Sequence, residues 1–393
     1  MSVVSAQAHR RWSVVVGAIA ILCALPAVIA ALPVPGQAIS AATLRTRILA
    51  SASVPYQGYA ESTMNLGLPA LPDLQDVSTL LDGSTDQYAW YRSPGSWRAS
   101  VITGTGENDV YQVGQQTYLW DYGHNVLTRI VGAQPVRLPR ASDLLPPALA
   151  RTLLDIASPA DHVSRLPSRR VAGVDAAGLQ LVPADSTTTI GAVDVWADPA
   201  NGLPLEVAII GRGSTKPILV SNFFQVTERR PAAATVLPDP APGVVMSSTR
   251  LPDVEGVLSG DGDGDHDNDP FPGQLAGLSH VAIPGNVAGV ATYGTGFSRL
   301  VLLPLPRSVG PEVLNAATQA GAATVSLPGG TAVLIRTPLL NVLMLRLRAG
   351  RRETYILTGA VTPALLEQAA ISLEAYRPPP EFHVRPPPTP EHS

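Results

Sequence analysis

The chain has 393 residues, 45% of them hydrophobic, which is enough for two domains with separate cores. Charged residues make up only 15%, below the usual ~25%, and the formal charge of −4 argues against a nucleic-acid-binding surface. A single cysteine, Cys23, excludes an intrachain disulfide and a thiolate metal site. No cofactor is expected.

In chain order, His9, Arg10 and Arg11 precede an uncharged run from Trp12 to Leu32 that breaks at Pro33, Pro35 and Gly36. About 20 apolar residues can cross a bilayer, and the basic flank keeps the N-terminus cytoplasmic. Gly36-Gln37-Ala38 also supplies small residues for a signal-peptide cleavage site. Leu22 before Cys23 argues against a lipidated cysteine. Residues 1–38 therefore read as a retained anchor or a cleaved signal, and either one places 39–393 outside the cytoplasm.

Ser40 is an N-cap for a helix ending near Ser51, with Leu44, Ile48 and Leu49 on one side. Val54 to Leu66 alternates as a first strand, and Asp73 to Leu81 has the pattern of a short helix closed by Gly83. From Asp86 a meander follows: QYAWYRS, SWRASVITG, DVYQVG, QTYLWDY and NVLTRIV, each pair separated by turn residues. Leu144 to Ile156 is a second helix, its start set by Pro146-Pro147. Three alternating runs come next, VAGVDAAGLQLVP, GAVDVWAD and LPLEVAII, the last two joined by Asp198-Pro199-Ala200-Asn201-Gly202. PILVSNFFQVTER adds a final strand, so residues 39–230 form one domain.

Residues 231–272 form a Pro/Asp-rich linker. Its run Asp261, Asp263, Asp265, Asp267, Asp269 fails as an EF-hand loop, because His266 and Pro272 stand where glycine and a bidentate glutamate are needed. Residues 273–376 make a smaller α+β domain, with strands HVAIP, VAGVATYG, FSRLVLLPL, TVSLP, TAVLIRT, LNVLMLRLR and ETYILTG. One helix begins at Pro311 and another behind the N-cap Thr362, and residues 377–393 are a Pro-rich tail.

Scattered histidines and incomplete glycine motifs give no catalytic or metal-ligating set, so the chain is read as a non-enzyme. The aromatics of the meander form a packed core or line an apolar cleft; for the cleft the candidates are Trp90, Trp97, Tyr118, Trp120 and Trp196. Arg346, Arg348, Arg351 and Arg352 gather at one hairpin tip, which is either solvated or a surface for anionic headgroups or an acidic partner.

VDVWADPANGLPLEV, Val193 to Val207, resembles the strand–turn–strand signature of the LolA-like and RseB/MucB-like lipoprotein-carrier superfamily, and ILAS…YQGYAES resembles its opening helix and first strand. That resemblance implies an α+β fold with a strongly curved antiparallel sheet, a half-barrel wrapped around helices, holding an apolar cavity for lipid or acyl groups. It also implies lipid or lipoprotein as ligand, and an anti-sigma factor or other membrane protein as partner in envelope-stress regulation. The alternative is a cell-envelope interaction or structural module with a filled core and no lipid.

Overall fold

The computed structural model describes residues 34–67, 82–104, 106–131, 139–249, 271–282, 290–305, 310–319, 321–328, 330–347 and 354–376, with isolated positions before residue 34. The chain is α+β, with a 12-stranded mixed sheet and a separate 8-stranded antiparallel sheet. The run from Trp12 to Leu32 falls outside these residues apart from isolated positions. The helix expected at Asp73 to Leu81 and the aspartate run lie wholly outside them. No helix among the described residues is long and apolar enough to cross a membrane.

The first lobe opens with α1 (Ala41–Ala50), where the Ser40 hydroxyl accepts from the Thr43 amide at 3.1 Å as a side-chain cap should. Strands β1 (Tyr56–Asn65), β2 (Asp82–Ser93), β3 (Ser96–Thr103), β4 (Gly106–Val113), β5 (Gln116–Asp121) and β6 (Val126–Ile130) pair in succession. α2 (Pro146–Asp155) then precedes β7 (His162–Val171), β8 (Val174–Val182), β9 (Ile190–Ala197), β10 (Pro204–Gly211) and β11 (Pro217–Thr227). β11 returns to pair with β1, which joins the two meanders into one sheet.

Both helices cover the same face. Leu44 and Ile48, one turn apart on α1, meet Leu153 and Leu154 of α2 over Leu179, Leu181, Val193, Val195, Val207 and Ile209. α2 is held at its start by polar contacts as well: the Ser62 and Ser221 hydroxyls both donate to the Leu144 carbonyl, at 3.3 and 2.5 Å. The β9–β10 turn docks on α1. Gly202 adopts φ +79°, and a Cβ there would lie 2.3 Å from the Arg47 carbonyl carbon, so only glycine fits the turn and the approach together.

Beyond β11 the chain crosses the opposite face. The Arg92 guanidinium donates to the Pro231 carbonyl, and the 3-10 turn Ala234–Val236 sits over β2, β3 and β4 with Val236 1% exposed. Val244 packs on Tyr111, Trp120 and Leu127. The chain then becomes β12 (Val245–Thr249), paired with β6 in parallel. A strand that arrives by crossing the sheet, not by a hairpin, is free to run parallel, and this makes the sheet mixed.

The half-barrel expectation is corrected here, since neither sheet is closed or strongly curled. The larger sheet ends at β7 on one side and β12 on the other, with ten strands between them. β7 carries Pro167 at a register shift together with Arg165, Arg169 and Arg170, features that stop an edge from pairing further.

The second lobe has strands β13 (Gln274–Leu275), β14 (Leu278–Val281), β15 (Ala291–Tyr293), β16 (Leu300–Leu305), β17 (Ala323–Leu327), β18 (Gly330–Ile335), β19 (Asn341–Leu347) and β20 (Thr354–Gly359), in the order 13-14-15-16-20-19-18-17. Between β16 and β17 lies α3 (Gly310–Gln319), and α4 (Pro363–Ala375) follows β20. Period-two alternation divides β18 between them: Ala332 and Leu334 join the core under α4, Val333 and Ile335 the cluster under α3. Thr187-Thr188-Thr189 clasps this lobe to the first. The Thr188 hydroxyl donates to the Ala360 carbonyl at 2.8 Å, the Thr189 hydroxyl to the Leu339 carbonyl at 2.5 Å, and the Thr362 amide to the Thr187 carbonyl at 2.8 Å.

Candidate functional site

On the helix-covered face, Tyr56 of β1 is in register with Tyr91 of β2, and Tyr91 with Trp97 of β3. The two tyrosine rings stack at 5.0 Å and 10°, and Phe223 meets Tyr56 edge-on at 5.6 Å. The Tyr91 hydroxyl donates to the Ala52 carbonyl at 2.7 Å, which fixes the ring. Next to these large rings the sheet carries Ala89 paired with Ala99, side chains too small to reach the helix layer. The shortfall leaves a cavity of about 290 Å³ whose wall includes Tyr56, Ala89, Tyr91, Trp97, Leu145 and Ala148.

One rim of the cavity is charged. Arg151, two turns along α2 from Leu145, lies 5.9 Å from the Tyr91 ring and reaches the Ser51 hydroxyl at 3.4 Å; Asp143 also borders the space. Burial pushes the Tyr56 and Tyr91 hydroxyls above their ordinary range, with the Arg151 charge acting the other way. Both tyrosines are therefore neutral at physiological pH, and Arg151 is a cation of the rim beside Arg98. The lining is mainly apolar and also includes Arg98, Arg151 and Asp143, an arrangement that can take a hydrocarbon body with a polar end.

Of the residues singled out in the sequence, Trp97 alone borders this cavity. Trp90, Tyr118 and Trp120 alternate to the other face of the sheet. There Arg98 lies 4.7 Å from the Trp90 ring, and Trp120 stacks on Tyr122 at 4.5 Å and 6°. Arg98 pairs with Asp109 at 2.8 Å, and the Tyr111 hydroxyl donates to the same carboxylate at 2.7 Å. Burial pushes the Asp109 carboxyl up, although Tyr111 and Arg98 favour its charge. Trp196 is elsewhere again, with its indole N–H donating to the Pro167 carbonyl at 3.1 Å beneath Arg169. Arg346 is exposed near the end of β19, in register with Thr354; Arg348, Arg351 and Arg352 lie outside the described residues.

Tyr56, Tyr91, Leu145, Ala148 and Arg151 were not read from the sequence as cavity residues. The available signal was alternation, since Tyr91 and Trp97 oppose Trp90 and Arg98. Alternation separates two faces but does not say which of them meets the helices.

A second feature of the outer face is a ladder of rings across β11, β1 and β2. Tyr59 lies 5.1 Å from Tyr88 and 6.0 Å from Phe224, and Tyr88 lies 6.0 Å from Trp90. Tyr88 and Phe224 are 41% and 53% exposed. Among the described residues no group of three His, Cys, Asp or Glu side chains could hold a metal ion.

No protein-family model matches the sequence, and no curated protein matches it. Solved structures do. The MucA/MucB complex of Pseudomonas aeruginosa is similar with 17% identity, over 84% of this chain and 97% of that one, at a TM-score of 0.46. A crystal structure of MucB is similar with 16% identity, over 84% and 96%, at a TM-score of 0.42. A LolA superfamily protein from Nitrosomonas europaea is similar with 13% identity, over 51% and 99%, at a TM-score of 0.25. The chain is structurally similar to MucB over 84% of its length at low identity. Identity this low speaks to fold and not to the occupant of a site.

Proposed function

We propose that this chain is a non-enzymatic, extracytoplasmic envelope protein, tethered through residues 1–38, whose first lobe binds an acyl chain between β1–β3 and α2. The observation that carries the reading is the cavity of about 290 Å³ walled by Tyr56, Tyr91, Trp97 and Leu145, with Arg151 at its rim. At roughly 30 Å³ per water it has room for about ten, which fits a segment of one hydrocarbon chain better than a bulky multi-chain anchor. Each buried methylene contributes about 0.8 kcal/mol, close to what the same group loses on leaving a bilayer. Uptake and release then need no energy source, and Arg151 supplies selection for a carboxylate or phosphate end.

The test is native mass spectrometry of the exported chain purified without detergent, followed by extraction. Fatty acid or lipid in near-stoichiometric amount is expected, with less retained by Arg151→Gln. A protein free of lipid that takes up no added fatty acid would remove the reading.

A second reading, an envelope interaction module without lipid, is favoured by the exposed Tyr59–Tyr88–Phe224 ladder, since tyrosine and tryptophan dominate protein interfaces. MucB has been crystallised with MucA, and the family resemblance of the sequence points to an anti-sigma factor as the corresponding partner here. Tyr88→Ala with Phe224→Ala would abolish such an association and leave lipid uptake intact; the reverse pattern would favour the cavity.

A further inference from the structure

The two edges of the large sheet are built differently. β7 is blunted by Pro167, a register shift and three arginines, whereas β12 has the sequence VMSST, with no charge, no proline and no bulge. Its burial is exposed at four of five positions, and Val245 and Met246 are 58% and 60% exposed. The polar groups on its free side follow from the ladder. The Val245 amide donates to the Asn125 carbonyl at 3.0 Å and the Thr249 carbonyl accepts from the Val131 amide at 3.0 Å. Because a parallel ladder alternates, Val245, Ser247 and Thr249 bond inward to β6, while Met246 and Ser248 turn N–H and C=O outward. Arg129, exposed on β6 beside Ser248, places a cation next to this edge.

We propose that the outer edge of β12, unpaired among the described residues, is a docking strand for an extended segment of a partner protein, which adds a thirteenth strand to the sheet. Met246 and Ser248 supply two donor–acceptor pairs, Val245 and Met246 supply apolar contact on either face, and Arg129 selects an acidic residue in the incoming segment. Main-chain pairing gives such a contact its affinity and the alternate side chains give its selectivity. The site lies across the sheet from the acyl cavity and does not depend on it.

The probe is a fluorescein-labelled octapeptide of alternating valine and threonine with one central glutamate, titrated against the full chain by fluorescence anisotropy. Saturable binding is expected, weakened at least tenfold in Met246→Pro, which deletes an outward donor and spares the inward ladder. Arg129→Gln should weaken the glutamate peptide and leave a glutamine version unchanged. Because a proline can also disturb β12 itself, the converse is made on the peptide: N-methylation of alternate amides must abolish binding in one register. Absence of binding, or binding indifferent to both Met246→Pro and N-methylation, would overturn the proposal. So would concentration-dependent dimers in sedimentation that Met246→Pro abolishes, since the occupant would then be a second copy of this chain.

Discussion

Filling the cavity separates a hollow lobe from a packed one. Ala148 is half-buried on α2 and faces the space of about 290 Å³ beside Tyr91 and Trp97. In a filled core, Ala148→Phe would force neighbours off their rotamers at a cost of about 1–3 kcal/mol. In a hollow one the new ring enters the void, and stability should change by less than about 1 kcal/mol because burial of the phenyl offsets its lost freedom. The ligand bears the cost instead. If the ring takes half the space, about four methylenes are excluded at about 0.8 kcal/mol each, a loss of roughly 3 kcal/mol. At 1.4 kcal/mol per factor of ten this weakens binding about a hundredfold. The assay is quenching of Trp97 by a brominated fatty acid, with Trp97→Phe as the control that assigns the signal, alongside chemical denaturation of each variant. Unchanged quenching in a folded Ala148→Phe protein, or destabilisation beyond about 3 kcal/mol, would refute the reasoning.

Three further outcomes are expected. Arg98→Met leaves the Asp109 carboxylate buried without its cation and should cost about 3–5 kcal/mol, much of it recovered by adding Asp109→Leu. In Arg98→Met alone, Asp109 is driven further toward its protonated form, so the folded state binds the extra proton; denaturation midpoints should rise as pH falls through the carboxylate range and decline as it climbs. Gly202→Ala must hold a left-handed φ of +79° against the Arg47 backbone and should lose at least about 1–2 kcal/mol in a thermal melt. At the interlobe clasp, burial by itself would raise the Asp185 carboxyl, but hydrogen bonds from Ser298 and Thr187 and the Arg212 charge hold it below its usual value. Its contribution is therefore present above the unfolded carboxylate value of about 3.9 and is lost as pH falls through the folded one; Asp185→Asn should flatten that part of the stability–pH curve.

Local chemistry was legible in the sequence, and the elements it names are those that local chemistry controls. Ser40, Pro146-Pro147 and Thr362 start helices because capping and prolyl geometry act within one turn. The runs around Trp90, Trp97, Trp120, Val195 and Leu345 are strands because side chains alternate at period two. β7 escapes that reading because HVSRLPSRRV has no apolar face: it is an edge strand, recognisable only once β8 is beside it.

Tertiary structure alone decided which face of the meander meets the helices. Both faces carry rings, Tyr91 and Trp97 on one and Tyr88, Trp90 and Trp120 on the other, so alternation sorts them without orienting them. The side was chosen by Leu44, Ile48 and Leu154, which cover Leu179 and Val195 far along the chain. The same long-range packing placed Pro231–Thr249 across the outer face and put Ala89 opposite Ala148, where two small residues distant in sequence leave room that no local pattern encodes.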